Sequence, residues 1–174
     1  MVTTVLKRSE VLERAWTVAS TVVDPELPML TLLSLGVLRD VRIDDHGAVV
    51  IAITPTYSGC PAMTTMRDDL MRELQAAGFA NTRVQVALEP AWTTDWITPE
   101  GRAALARAGI SPPGPAPRTK VPVALQLLRT RRAVLCPRCG AADAELTSEF
   151  GSTACKAMYR CRACLEPFDH VKEI

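Results

Sequence analysis

Five of the six cysteines in this chain fall after residue 135, and four of them form two C-x-x-C pairs, Cys136-x-x-Cys139 and Cys161-x-x-Cys164. Each pair has the spacing of a tight knuckle that aims two sulfurs at one ion. The twenty-one residues between the pairs are enough for a β-hairpin that brings the knuckles together. Four thiolates at about 2.3 Å suit zinc, which makes no redox demand and accepts a tetrahedral sulfur set. Gly140 follows the first knuckle, where the chain must turn back. Two other chemistries use the same residues: a pair of redox C-x-x-C motifs, and a four-cysteine iron–sulfur centre, which ligand type alone does not separate from zinc.

Cys155 is the spare thiol of this region. In "STACKAMYR" it reads as part of the strand entering the second knuckle, and six extended residues place its Cα roughly 20 Å from that of Cys161. Two readings stand: a small buried hydrophobe in a thin module, or an accessory thiol that meets a metal or a partner. The sixth cysteine, Cys60, stands alone in "TPTYSGCPAM", with Pro61 suited to a first helical position. A thiol at or beside a helix N-cap faces unpaired amides and the positive end of the helix dipole, which favour the thiolate that binds metal. An inert buried cysteine fits the position equally well. Asp24 and Glu26 in "DPELP" join Cys60 only if their loop folds over the helix start; otherwise they cap the loop or face solvent. His46 lies in a turn and His170 near the C-terminal end, so neither reads as a catalytic base, and no nucleophile triad or phosphate loop is apparent. The chain is not expected to be catalytic by itself.

These side chains need elements to hold them. "EVLERAWTVASTVV" has the helical period, with Val11, Ala15, Val18 and Val22 on one face and Ser9 as N-cap. Pro25 and Pro28 stop it. "LGVLRDVRIDDHGAVVIAIT" reads as a hairpin turning at Gly47. The next helix carries Met63, Met66, Leu70, Met71 and Leu74 as its apolar stripe and stops at Gly78. Val84, Val86 and Leu88 alternate as a third strand, a short helix starts near Thr98-Pro99, and Trp92 and Trp96 read as packing residues. The fold class is α+β: a small helix, strand-hairpin, helix, strand domain over residues 1–110, a proline-rich linker over 111–125, and a four-cysteine ribbon over 126–174.

The formal net charge of +1 gives no field that points to nucleic acid or anionic lipid, and no apolar run reaches the length of a membrane span. Arg118, Lys120, Arg129, Arg131, Arg132 and Arg138 cluster without an acid from 118 to 138, but no aromatic residue accompanies them to stack on bases. The charged start "MVTTVLKRSEVLERAW" lacks the apolar core of a secretory signal. The expectation is a cytoplasmic protein that binds neither membrane nor nucleic acid.

The ordered set "DPELPMLTLLSLGVLRDV", "ITPTYSGCPAM", "PAWTTDWITPEGRAALARAGI", "CPRCG" and "FGSTACKAMYRCRACLEPFDHVK" resembles the PaaD family of phenylacetate degradation. Its members are counted as subunits of the multicomponent ring-1,2-phenylacetyl-CoA epoxidase. The N-terminal part is also similar to the domain shared by SufT and cytosolic iron–sulfur assembly factors, marked by Asp24-Pro25-Glu26 and the single Cys60 after a threonine-rich loop. The resemblance implies an accessory or maturation subunit that assists an iron–sulfur or iron centre, with the epoxidase's iron–sulfur reductase as client. It makes Cys60 a labile contact for transient iron or a cluster, framed by Asp24 and Glu26. Cys136, Cys139, Cys161 and Cys164 would hold structural zinc, and Cys155 belongs to the family's "STACKA" pattern. The alternative is a non-catalytic bridging or regulatory subunit acting only through protein contacts. Self-association is left open.

Overall fold

The computed structural model describes residues 8–57, 59–116 and 133–174. They form two compact units, Met1–Trp92 and Thr93–Ile174.

The first unit holds α1 (Arg8–Thr21), β1 (Leu38–Ile43), β2 (Val49–Ile53), α2 (Met63–Ala76) and β3 (Thr82–Val86). Ser9 lies inside α1 rather than capping it. The helix buries Ala15, Ala19 and, just past its end, Val22, while Trp16 is exposed. β1 and β2 pair antiparallel around a turn in which Gly47 takes φ 78°, a conformation that costs a residue with a Cβ. β2 pairs parallel with β3 on its other side, through α2 as the crossover, so β2 is central. Its position explains why Val49, Val50, Ile51 and Ile53, from both faces, are all buried. α1 packs on β1 and on α2, and α2 packs on β3. The expected stripe on α2 divides: Met66, Leu70 and Leu74 are buried, and burying each contributes about 1.5–3 kcal/mol, while Met63 and Met71 lie at the margin. A Schellman closure ends α2, with the Phe79 amide donating to the Leu74 carbonyl at 2.9 Å and Gly78 at φ 94°. β3 stops at Val86, so Leu88 falls outside it, and both side chains are exposed. Trp92 is buried and donates its Nε1–H to the Leu35 carbonyl at 3.0 Å.

The second unit begins with a 3-10 turn (Thr94–Trp96) and α3 (Pro99–Arg107), capped by the Thr98 hydroxyl, which accepts from the Gly101 amide at 3.1 Å. Three strands follow, β4 (Ala144–Ser148), β5 (Lys156–Cys161) and β6 (Pro167–Val171), antiparallel in the order β4-β5-β6. The domain boundary expected at residue 110 lies instead at Trp92/Thr93, and Trp92 and Trp96 belong to different units. The cause is backbone bonding. Ser111, expected in a linker, donates to the Asp169 carbonyl at 2.8 Å and accepts from the Val171 amide at 3.1 Å, which adds it to the edge of β6. The Gly114 amide donates to Glu173 Oε1 at 3.2 Å, and the Arg102 guanidinium donates to the Thr94 and Pro113 carbonyls. The rest of the expected linker and the ribbon start expected at 126 lie outside the described residues. No described helix is long and apolar enough to cross a membrane.

Candidate metal centre

Two knuckles converge at one end of the β4-β5-β6 sheet. In the first, the Gly140 amide donates to the Cys136 carbonyl and the Cys136 amide to the Ala141 carbonyl, both at 2.9 Å. Gly140 sits at φ 74°, so the chain reverses directly after Cys139. In the second, the Cys161 amide donates to the Glu166 carbonyl at 2.9 Å, and the Cys164 amide points at Cys161 Sγ at 3.5 Å. Here the left-handed position falls to Leu165 at φ 66°, the one described non-glycine residue with positive φ. The sequence carries no glycine at this point and hence no signal for the turn. Cys136 and Cys161 form the core of the ribbon with Val134 and Phe168, against which Tyr159 stacks at a ring distance of 6.0 Å.

All four sulfurs lie within 4.8 Å of one another. Cys136 Sγ is 3.7 Å from Cys164 Sγ, and Cys139 Sγ is 3.6 Å from Cys161 Sγ. A tetrahedron of sulfurs about 2.3 Å from a central ion has edges of about 3.8 Å, so the set fits a closed four-thiolate metal site. The electrostatics point the same way. The Cys164 amide, with help from the Ala163 amide and neighbouring sulfurs, draws the Cys161 thiol down to about 7. The Glu166 amide pulls Cys164 down too, but burial and three sulfur neighbours outweigh it, and Cys164 is pushed up to about 12. Four thiols this close do not ionise together unless a cation joins them.

Cys155 is not among the four sulfurs. It lies in the turn before β5 rather than in a strand, half-buried, with its Sγ 3.1 Å from Thr153 Oγ1 and its carbonyl accepting from the Lys172 amide. Arg138 faces Glu166 at 3.8 Å; the other five basic residues of the cluster lie outside the described residues.

In the first unit, Cys60 is half-buried on the loop that leaves central strand β2. It precedes the N-cap Ala62 by two residues, and Pro61 by one, so neither occupies the cap or the first helical position as the sequence suggested. The Cys60 amide donates to the Tyr57 carbonyl at 3.2 Å, and its carbonyl accepts from Met63 at 3.4 Å. Ala62 supplies no side-chain cap to α2. Asp24 is 3% exposed, and its Oδ1 accepts from the Glu26 and Leu27 amides, both at 2.8 Å. An antiparallel bridge between Val23 and Thr31 closes the same loop. Asp24 therefore shapes the loop from within, and Glu26 beside it is half-buried. Among the described residues, Cys60, Asp24 and Glu26 are not gathered into a set of metal ligands as the four knuckle cysteines are.

Two family models match the chain, one for each unit's chemistry: "Iron-sulfur cluster assembly protein" over residues 13–88 and "PaaD zinc beta ribbon domain" over residues 120–172. A protein of Escherichia coli (strain K12), named as a subunit of a "Putative 1,2-phenylacetyl-CoA epoxidase", is 45% identical over 158 residues, 90% of each chain. "Fe-S protein maturation auxiliary factor YitW" of Bacillus subtilis (strain 168) is 33% identical over 85 residues, covering 48% of this chain and 82% of that one. A crystal structure described as a domain of unknown function, DUF59, from Bacillus anthracis superposes with a TM-score of 0.51 at 25% identity, over 56% of this chain and 93% of the other.

Proposed function

This chain belongs to the PaaD family, whose Escherichia coli relative is named as a phenylacetyl-CoA epoxidase subunit, and we propose that it serves such an epoxidase as a maturation factor. In this reading it assists assembly or repair of an iron–sulfur or iron centre in a partner subunit, most directly the iron–sulfur reductase, and does not itself catalyse the oxidation. The observation that carries the reading is the placement of Cys60, half-buried on the loop between β2 and the uncapped start of α2, in the unit that matches the assembly family. Amides at a helix start that lack a side-chain cap favour an anionic partner, whether thiolate or cluster sulfide. Cys60 is the labile contact; Asp24 fixes the neighbouring loop and Glu26 completes the frame. One sulfur without two further ligands from its own chain does not retain a cluster, which suits a contact that must let its cargo go; the remaining ligands come from the client. The four knuckle cysteines hold zinc, which closes the ribbon and gives it a fixed surface for docking.

The test is Cys60→Ser in cells that express the epoxidase subunits together. The expected result is normal zinc content and normal complex formation, with reduced iron and acid-labile sulfide in the purified reductase. A fully loaded reductase and an active epoxidase would sink the maturation role and favour a subunit that bridges its partners by contact alone.

A further inference from the structure

The second unit contains a cavity of about 780 Å³ that takes no part in the metal chemistry. That size is within the range of small-molecule sites. Pro113, Pro115, Val134 and Leu135 supply apolar wall, and Ser111, His170 and Glu173 the polar part. His170 is 4% exposed, and its Nε2 has no hydrogen-bond partner among the described residues. Its other nitrogen, Nδ1, is 3.2 Å from the Ser111 hydroxyl. Glu173 Oε1 lies 3.6 Å from Nε2, beyond direct hydrogen-bond reach, and already accepts from the Gly114 amide. Buried polar atoms as a rule have a partner, so a nitrogen left without one on a cavity wall marks where a ligand atom belongs. The serine, histidine and glutamate do not form a nucleophile site, because Ser111 is only 1% exposed.

We propose that this cavity binds a small, uncharged, largely apolar molecule carrying a hydroxyl group, whose oxygen bridges His170 Nε2 and Glu173 Oε1. An oxygen about 2.8 Å from each of two atoms separated by 3.6 Å is sterically allowed, and a hydroxyl both accepts and donates, as that pair requires. A carboxylate head would meet the Glu173 carboxylate, and any charged head would lose its hydration among prolines and aliphatic groups. Burial also pushes the His170 pKa down, which keeps the imidazole neutral and suited to an uncharged partner. A water satisfies the same two atoms but leaves the apolar wall unfilled. The site lies wholly within the second unit and does not depend on the maturation reading.

The test titrates phenol, toluene and benzoate into the zinc-loaded, ¹⁵N-labelled full chain. Phenol is expected to shift the amide resonances of Ser111, Gly114 and Val171, and to bind roughly tenfold or more tightly than toluene or benzoate. His170→Phe should remove the preference for phenol over toluene. Ala106→Phe places a ring into the cavity from α3 without touching the polar pair, and should abolish binding of every probe; it carries the test if His170→Phe does not fold. The proposal fails if no probe shifts these amides, if toluene or benzoate binds as well as phenol, or if Ala106→Phe binds phenol like the parent chain.

Discussion

Removing one sulfur from the ribbon should loosen the metal by a predictable factor. Structural zinc in small modules contributes about 10–16 kcal/mol, so an equal share for each of four thiolates is roughly 2.5–4 kcal/mol, or about 10²- to 10³-fold in affinity. The geometry supports equal sharing, since the two closest sulfur pairs, 3.6 and 3.7 Å, join one cysteine of each knuckle. Cys164→Ala therefore should leave three sulfurs and a water on the ion and weaken zinc by that factor. Cys161→Ala should be worse by about 1 kcal/mol, because that side chain is 0% exposed and packs against Val134 and Phe168. Cys155→Ala should retain the parent affinity, as its sulfur is not in the cluster. Competition with a chromophoric chelator measures all three, and Tyr159, stacked in the ribbon core, reports folding by near-ultraviolet circular dichroism. Parent affinity in Cys164→Ala, or loss of zinc in Cys155→Ala, would refute the assignment.

Two further outcomes are expected from the second unit. Gly140→Ala should destabilise the zinc-loaded ribbon by about 1 kcal/mol in thermal melts: an added Cβ meets nothing within 4 Å, so only the cost of a left-handed φ remains. Burial lowers the pKa of His170 from the usual 6.5, so the unfolded chain binds its proton more readily than the folded one. That contribution to stability is complete above about pH 6.5 and fades as pH falls below it; His170→Phe should flatten this part of a stability–pH curve.

The elements that rest on periodicity or spacing were legible in the sequence. Leu70 and Leu74 announce α2, Gly47 the hairpin, and the paired C-x-x-C motifs the sulfur cluster. What local pattern could not carry was long-range backbone bonding. The prolines after Ser111 imply an untethered linker, yet Ser111 itself is bonded into the edge of β6, whose residues lie nearly sixty positions away. The second knuckle was readable only in its cysteines, because Leu165 takes the turn that glycine takes in the first. In the first unit, Asp24 was open to two readings, and its bonds to the Glu26 and Leu27 amides decide for a residue that builds its own loop.

The sulfur cluster is two-sided: Cys136 and Cys161 are interior, while Cys139 and Cys164 face outward. Exchange of the ion would then be associative. An incoming donor would displace the outer thiolates one at a time while the inner pair keeps its grip, so release should speed up with chelator concentration rather than wait for the ribbon to melt.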